Sequence, residues 1–382
     1  MRKDAMRAPI WHYALATVSI ASLAGCMDAT TIPPKLAASQ PLAQRPATMA
    51  LPTPPARACT DDVVRQLLTP AAQDPTPVML TCRAVLPPKS TVTRQILFEG
   101  SAASGSGIDC KGGRLEGTAQ QGGRGAVIIR SKKKAGAWSR PVDITVRNCE
   151  ITTGLRIYGL GVNGEAPGVK ESSMNANHTA FAQSVAPAAI TLDKLLFSSS
   201  GGIPLYISPG VTNVTVSNSR FTGTSTSVAL YLDAESGGAT IINNVFDLRT
   251  DKRELIAVDG SAYNSITGNR FNTASNGGIF IYRNCGEGGT IRHQAPQFND
   301  IEKNVFAMGG SGDPAVWLNS RNGNRNYCFT DPNHPYGSGL TSLDMAQHNI
   351  VKDNEAKGSK GRAFRNSDPT NNLSNNVDYR FE

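Results

Sequence analysis

The chain has 382 residues, a formal net charge of +8 at pH 7, and apolar residues at 39% of its positions. This length is more than enough for a sizeable core. The sequence holds neither a CxxC pair nor an HExxH motif, which argues against a zinc site.

The first 25 residues have the pattern of a secretory signal peptide. Basic residues precede an apolar run from Ala8 to Ala24, which is too short and too interrupted for a membrane span. The run ends in "LAGC", which resembles the bacterial lipoprotein box and implies that Cys26 carries lipid. Met27, standing where an aspartate would signal retention in the inner membrane, implies the outer membrane as the destination. The alternative is an ordinary cleaved signal that happens to contain a cysteine.

The exported chain remains basic. Residues 1–25 carry three basic groups and one acid, a net charge of +2, so their removal lowers the charge from +8 to +6. A basic exported protein favours a polyanion, and we predict an acidic polysaccharide as partner and no nucleic acid. The alternative is that this modest excess of charge only aids solubility.

Residues 26–58 are rich in Pro, Ala and Thr, which predicts an extended tether with little buried surface. Six cysteines follow it, and an even number in an exported chain indicates disulfides, although six cysteines allow 15 pairings. Proximity in the sequence favours three pairs: Cys59 with Cys82, Cys110 with Cys149, and Cys285 with Cys328.

The segment from 59 to 355 contains an internal repeat, preceded by a predicted short helix over Asp61 to Leu68 that would cap the first coil. Four segments align without gaps and end at Phe221, Phe246, Phe271 and Phe306, at intervals of 25, 25 and 35 residues. Two residues before each Phe stands Ser or Asn, and five before it stands Val or Ile. Short strands without amphipathic helices between them predict stacked coils, that is, an all-β parallel solenoid.

This pattern, with the opening "GSGIDCKGG" from Gly105 to Gly113, resembles the right-handed parallel β-helices of the pectate-lyase type. The resemblance covers roughly residues 96–354 and implies a right-handed parallel β-helix. Most members of that superfamily act on acidic polysaccharides, which is the activity that the resemblance implies here.

A polar column is predicted on one sheet, because residues one period apart become neighbours about 4.8 Å apart in a stack. Strand ends in successive coils give Asp233, Asp259 and Arg283, and we predict these three as the catalytic residues. Adjacent carboxylates change one another's pKa, and the arginine would keep one of them ionised. The alternative for Arg283 is a surface ion pair with Glu287.

Charged, polar and aromatic residues close to this column are predicted to bind the substrate. Several of them lie on the insertion that lengthens the third interval, which Cys285 would anchor, and others follow Trp317. The predicted substrate-binding residues are Glu235, Tyr282, Glu287, Arg292, His293, Arg321 and Arg325.

A second resemblance is to the lyase family that includes chondroitinase B and some alginate lyases. "ELIAVDGS" aligns Glu254 with a calcium-binding glutamate, and "IYRN" aligns Arg283 with the catalytic arginine. Asp259 stands where that family has its lysine base, and Lys252 stands where a second acidic calcium ligand is expected. The resemblance implies Ca²⁺ as the cofactor, with Glu254 as the metal ligand; no other cofactor is indicated.

The predicted function is the processing of a uronate-containing polysaccharide by a monomeric, lipid-anchored protein, through β-elimination with Asp259 as base and Arg283 as stabiliser of the carbanion. Glycoside hydrolysis by paired carboxylates and uronate epimerisation are alternatives on the same fold. A further alternative is a non-catalytic exopolysaccharide-binding protein or adhesin. Residues 356–382, rich in Asn, Ser and Lys, are predicted to form a loose tail.

Overall fold

The computed structural model describes residues 40–47, 57–117, 125–161 and 166–381. They form a right-handed parallel β-helix, as the repeat predicts. Each coil contributes one short strand to each of three faces, in the order face 1, face 2, face 3. Strands of one face pair in parallel with the strands of the coils before and after, so residues one coil apart lie side by side.

The three faces are defined by their strands. Face 1 consists of Val78–Met79, Ile96–Glu99, Val127–Arg130, Leu155–Tyr158, Leu205–Ile207, Leu230–Leu232, Ile256–Asp259, Ile279–Tyr282, Val316–Leu318 and Phe364–Arg365. Face 2 consists of Arg83–Val85, the first parts of Gly107–Leu115 and Val142–Ile151, then Ala188–Asp193, Thr212–Ser217, Thr240–Ile242, Ser265–Thr267, Asp300–Glu302, Ile350–Lys352 and Asn372–Ser374. Face 3 consists of Thr91–Val92, the second parts of the same two long strands, then Leu196–Gly201, Arg220–Ser225, Val245–Thr250, Arg270–Phe271, Val305–Ala307, Glu355–Ser359 and Val377–Arg380.

The helices lie outside these faces. The predicted helix Asp61–Leu68 is present, and Leu67 packs into the core at its end of the solenoid. The other α-helices are Pro167–Ser173, His178–Val185 and Gly337–Leu340, and the described 3₁₀ turns are Ser101–Ala103, Ala274–Asn276 and Glu287–Gly289. A two-stranded antiparallel hairpin, Lys132–Lys134 with Ala137–Ser139, projects from one coil. Within the described residues, none of the helices is both long enough and apolar enough to span a membrane.

The core consists of inward side chains that repeat once per coil. Ring centroids of successive phenylalanines lie 4.5 to 4.7 Å apart in a stack of five. These rings are Phe197, Phe221, Phe246, Phe271 and Phe306, all fully buried. Offset stacking of this kind adds about 0.5–1.5 kcal/mol per pair beyond the burial of apolar surface. The stack confirms that residues one period apart are vertical neighbours.

Buried asparagines form two ladders along the coil corners. In the predicted one, the Asn244 amide donates to Asn269 at 3.0 Å, and the same link continues through Asn304 and Asn354 to Asn376. The second ladder runs through Asn264, Asn299, Asn349 and Asn371, with amide contacts of 2.7 to 3.0 Å. Each amide also satisfies backbone groups at a corner where no strand partner is available.

All three predicted disulfides are formed: Cys59–Cys82, Cys110–Cys149 and Cys285–Cys328. Three disulfides are typical of a protein that folds in an oxidising, extracytoplasmic compartment. Cys26 lies outside the described residues.

The chain ends differ from the sequence-based expectation. Residues 40–47, part of the predicted free tether, lie on the β-helix: Gln40 donates to the backbone of His293 at 3.1 Å, and Tyr263 donates to the carbonyl of Ala43 at 2.9 Å. Instead of a loose tail, the C-terminal residues add another coil, with strands Phe364–Arg365, Asn372–Ser374 and Val377–Arg380. Their many asparagines continue the two ladders, and this is the physical reason that a polar segment is ordered here.

Candidate functional site

The candidate site lies on the outer surface of face 1. Side chains alternate along each strand, so Leu230 and Leu232 enter the core while Tyr231 and Asp233 point outward. Register places Asp259 beside Asp233 in the next coil, as the sequence predicts, because Leu232 pairs with Val258. We call Asp233 and Asp259 the acidic column.

Asp233 is held by three neighbours. Its Oδ2 accepts a hydrogen bond from the Tyr206 hydroxyl at 2.5 Å, and its Oδ1 accepts from the Ala234 backbone at 2.8 Å. Burial raises the pKa of Asp233 to about 6; Arg292 and the two hydrogen bonds oppose the rise, and Asp259 adds to it. Asp233 therefore changes protonation close to neutral pH.

Asp259 accepts three hydrogen bonds. Its oxygens accept from the Tyr231 hydroxyl at 2.7 Å, from the Asn284 backbone at 2.8 Å and from the Asn284 amide at 2.5 Å. Burial raises the pKa of the Tyr231 hydroxyl well above its ordinary value, and so does the charge of Asp259. Tyr231 is therefore a protonated donor at neutral pH, and Asp259 accepts its hydrogen bond.

The column continues to Tyr282 rather than to Arg283. Asp259 pairs in register with Tyr282, whose hydroxyl donates to Glu254 at 3.1 Å and accepts from Arg253 at 2.8 Å. Burial raises the pKa of Tyr282, followed by the charge of Glu254, so this phenol also stays protonated.

Glu254 does not fit a calcium site in this arrangement. Arg253 binds both of its carboxylate oxygens, at 2.7 and 2.9 Å. Nowhere in the described part of the chain do three or more His, Cys, Asp or Glu side chains cluster in a way that could hold a metal ion. We therefore derive no step through calcium.

Arg283 points away from the acidic column. Its guanidinium donates to the carbonyls of Thr341 at 2.8 Å and Leu343 at 2.5 Å, and to the side chain of Gln40 at 3.0 Å. Burial lowers the pKa of Arg283 to about 10, against the opposing charges of Asp344, Glu235 and Asp259. Strand Ile279–Tyr282 ends one residue before it, so the predicted position of this arginine in the column is off by one residue.

Three insertions lie beside the acidic column, and each connects a face 1 strand to the face 2 strand that follows it. They occur after strands Leu155–Tyr158, Ile279–Tyr282 and Val316–Leu318. Their described parts, residues 166–187, 283–299 and 319–349, form what we call the insertion wall. Cys285–Cys328 joins two of the insertions, in agreement with the anchoring that the sequence predicts.

Glu235 and His293 lie inside the insertion wall. Glu235 is fully buried, and its carboxylate accepts from the Thr179 hydroxyl and from the backbones of His293 at 2.8 Å and Gln294 at 3.1 Å. Burial alone would raise the pKa of Glu235, but His178, His293 and these hydrogen bonds lower it overall. The His293 ring contacts the Ser173 carbonyl at 2.7 Å. The structure thus places both residues in packing contacts within the wall, not on the outer surface of face 1.

Arg292 is the group that the insertion wall directs at the column. It is 2% exposed, and its Nη1 lies 3.6 Å from Asp233 while its Nη2 lies 3.7 Å from Glu287. Its Nε and Nη1 have no hydrogen-bond partner among the described residues. A buried guanidinium with unmade hydrogen bonds is costly unless an anion completes them.

Arg321, also on the insertion wall, lies over Tyr282. Its Cζ is 3.7 Å from the centroid of the Tyr282 ring, and its Nη1 donates to the Tyr327 hydroxyl at 3.1 Å. Tyr327 in turn donates to the Asn284 side chain at 3.1 Å. Arg325, the other predicted arginine of this loop, is exposed and donates to the carbonyl of Asn324.

Two cavities of about 700 and 690 Å³ lie away from the acidic column. The first is lined by Pro88, Lys111, Gly112, Asn148, Cys149, Glu150, Lys194 and Leu196. The second lies between residues 41–47 and helix His178–Val185, with His293 and Tyr336 at its other side.

Comparisons with known proteins agree with the fold. The sequence profile described as "Right handed beta helix region" matches residues 169–320. No sequence match was found among curated proteins.

Solved structures similar to this chain share little sequence with it. The Azotobacter vinelandii mannuronan C-5 epimerase AlgE4 A-module is 10% identical, with a TM-score of 0.35, covering 84% of this chain and 91% of its own. The Streptococcus pneumoniae surface protein and adhesin PfbA is 13% identical, with a TM-score of 0.35 and coverages of 78% and 89%. A mannuronic acid specific polysaccharide family 6 lyase from human gut microbiota is 11% identical, with a TM-score of 0.28 and coverages of 84% and 82%. Scores of this size carry no argument about activity. The strand register and the matched profile together identify the chain as a right-handed parallel β-helix protein.

Proposed function

We propose that this protein processes a uronate-containing polysaccharide at the acidic column, by β-elimination. The observation that carries the proposal is Arg292, a buried guanidinium in which Nε and Nη1 make no hydrogen bond and Nη1 lies 3.6 Å from the Asp233 carboxylate. A uronate carboxylate is a planar anion that a guanidinium fork binds through paired hydrogen bonds. Arg292 takes the role that the sequence suggests for Arg283.

Asp233 is the base in this proposal. β-Elimination starts when a base removes the proton on the carbon next to the uronate carboxylate, and the pKa of Asp233, near 6, suits a base that works near neutral pH. Arg292 stabilises the negative charge that moves onto the carboxylate as this proton leaves. Asp259 accepts three hydrogen bonds, and in this proposal it orients Tyr231.

Tyr231 completes the reaction as the acid. The bond from the neighbouring ring carbon to the glycosidic oxygen breaks, a carbon–carbon double bond forms, and the leaving oxygen takes a proton from the Tyr231 hydroxyl, which solvent then restores. Tyr231 is a partly exposed residue whose hydroxyl donates to Asp259 in the structure, and in the proposed reaction this hydroxyl turns to the leaving oxygen. The products are an unsaturated uronate and a new chain end.

The test is an assay of purified protein on alginate, polygalacturonate, chondroitin and an exopolysaccharide of the source cell. We expect an ultraviolet absorbance from the unsaturated product, and a rate that rises as the pH passes about 6, since Asp233 must be ionised. Asp233→Asn and Arg292→Ala should each lower kcat/KM by at least about a hundredfold. Arg249→Ala, which removes an exposed arginine on face 3, is the control. Full activity in Asp233→Asn would overturn the assignment.

Glycoside hydrolysis is the second candidate, and one observation favours it. Asp233 and Asp259 are carboxyl groups on neighbouring coils, and a pair of carboxyl groups is what glycoside hydrolysis requires. New reducing ends without ultraviolet absorbance would select hydrolysis. Binding that survives Asp233→Asn, with no turnover of any polymer by the wild type, would instead indicate a non-catalytic binding protein.

We also propose that the chain is exported as a lipoprotein, on the evidence of "LAGC" at residues 23–26. Mass spectrometry of the membrane fraction should find lipid on Cys26, and Cys26→Ser should release the protein into the soluble fraction. A wild-type chain that is cleaved and unlipidated would contradict this.

A further inference from the structure

Arg321 has the features of a second anion site. Its guanidinium carbon lies over the Tyr282 ring, 3.7 Å from the centroid, and it makes no ion pair with any carboxylate among the described residues. The nearby carboxylates have other partners, because Glu254 is bound by Arg253, and Asp259 by Tyr231 and Asn284. A planar cation that is stacked and fixed in this way keeps an edge for a carboxylate.

A chain of hydrogen bonds fixes the position of Arg321. The Tyr327 hydroxyl accepts from Arg321 at 3.1 Å and donates to Asn284 at 3.1 Å, and the Asn284 amide donates to Asp259. Asn284 and Tyr327 each directly precede one cysteine of the disulfide Cys285–Cys328. The disulfide therefore holds together the two residues through which Arg321 is connected to the acidic column.

The spacing of the two arginines defines the ligand. Arg292 contacts Asp233, and Arg321 covers Tyr282, which lies two coils further along face 1. Two strand spacings amount to roughly 10 Å. A single uronic acid cannot present carboxylates at both places, whereas an acidic polysaccharide carries carboxylates at repeated intervals.

We infer that Arg321 is a second carboxylate-binding site, positioned by the disulfide Cys285–Cys328, so that the substrate is a polymer with carboxylates on at least two of its residues. The inference rests on the proposed function, in which Arg292 binds the carboxylate of the reacting residue. It adds two points: the substrate needs a second carboxylate two coils away from the first, and the disulfide positions the arginine that binds it.

The experiment measures binding by calorimetry with the full chain. The probes are oligosaccharides of galacturonate, mannuronate and glucuronate of one to six residues, with maltohexaose as the neutral control. Arg321→Ala should weaken binding of the longest acidic oligosaccharide by about tenfold to a hundredfold, the range for one charge-assisted contact. It should leave the affinity for the shortest oligosaccharide that still binds unchanged. Arg249→Ala, at an exposed position on face 3, should change neither.

The disulfide has its own variants and its own controls. Cys285→Ser with Cys328→Ser should reproduce the length-dependent loss, whereas Cys110→Ser with Cys149→Ser, which removes a disulfide far from the column, should not. Tyr327→Phe removes only the hydroxyl between Arg321 and Asn284, so it tests the same positioning in a chain with all disulfides intact. We expect it to weaken long-oligosaccharide binding severalfold while the shortest ligand is unaffected.

The outcomes separate this inference from the proposed function. If Arg292→Ala abolishes binding at every length and Arg321→Ala changes none, the second site is overturned and the reacting centre stands. If Arg321→Ala causes equal losses at all lengths, the requirement for two carboxylates is overturned. If Asp233→Asn retains turnover while Arg321→Ala shows the length-dependent loss, the second site stands and the proposed base falls. If no acidic oligosaccharide binds the wild type, both are overturned.

Discussion

At the scale of single residues, burial decides which charged groups can act. Arg283 and Arg292 are both buried arginines on one insertion, yet the two terminal nitrogens of Arg283 make hydrogen bonds and only its Nε has no hydrogen-bond partner, whereas both Nε and Nη1 of Arg292 make none. The carboxylate of Glu235 likewise already accepts hydrogen bonds from backbone and hydroxyl donors. A charge near an acidic column is therefore a candidate for binding only if its hydrogen bonds are not already made.

Asp233 should give the fold a recognisable dependence on pH. Its folded pKa, about 6, lies above the unfolded value of about 3.8, so the native state holds its proton over the range in which the unfolded chain has lost it. Stability contributed by this group is present below about pH 4 and is lost as the pH rises to about 6. The free energy of unfolding, measured with denaturant, should therefore increase for Asp233→Asn relative to the wild type between pH 4 and pH 7, by up to about 3 kcal/mol.

The matched control for this prediction is Asp251→Asn, an exposed carboxylate in a turn of the following coil. Its midpoint should follow the wild type at every pH. A wild-type-to-Asp233→Asn difference that is constant from pH 4 to pH 7 would show that Asp233 titrates at an ordinary pKa.

The repeated strand is the element from which the fold follows, and the sequence contained most of it. The Phe and Asn columns predicted the stack because neither period nor phase changes between Phe221 and Phe271. The regular 25-residue period does not predict the second ladder, from Asn264 to Asn371, because insertions lengthen its first two intervals to 35 and 50 residues. The repeat of these asparagines becomes visible in the sequence only when the residues of the insertions are left out of the spacing.

The sequence predicts the neighbours Asp233 and Asp259 correctly but misplaces Arg283 by one residue. Aligning strands by their apolar alternation, "IAVD" with "IFIY", would have paired Asp259 with Tyr282 and left Arg283 outside the column. No local pattern distinguishes Arg292 from Arg283, since their difference arises from loop packing over residues 341–344. Tertiary contacts between insertions carry that information.

The asparagine ladder should contribute strongly to stability. Asn269 accepts two hydrogen bonds from Asn244 and donates to Ile241 and Asn304, all at 2.8 to 3.0 Å in a buried corner. Asn269→Ala would leave several of these groups unpaired, at a cost of about 2–5 kcal/mol. Thermal unfolding should show the loss, whereas Asn272→Ala, an exposed asparagine three residues on, should stay within about 0.5 kcal/mol of the wild type. Equal melting temperatures for the two variants would contradict a structural role for the ladder.

At the scale of the whole molecule, the last described coil differs from the others in its core position. Asp378 pairs in register with Ala356, which continues the column of inward phenylalanines. Its carboxylate accepts from the Ser359 hydroxyl, from the Ala363 backbone at 3.2 Å and from Arg380 at 3.1 Å. An inward-pointing charge at a sheet end opposes pairing with another copy.

Removing that charge should promote association between molecules. Asp378→Leu would give the terminal coil an apolar surface with free strand edges, so we expect oligomers whose amount rises with concentration. Light scattering after gel filtration measures this directly. Asp251→Leu adds the same side chain at an exposed turn and should remain in the state of the wild type. A monodisperse Asp378→Leu that matches this control would show that other features protect the end.

The regular advance of the coils makes face 1 a ruler. Each coil moves the chain about 4.8 Å along the axis, and Arg292 and Arg321 address positions two such divisions apart. Duplicating one 25-residue coil between these positions would increase the distance between them by one coil spacing, and the side chains that contact the polymer would stay the same. In a protein built this way, the number of coils between the two arginines sets the spacing of the carboxylates that a bound polymer must have.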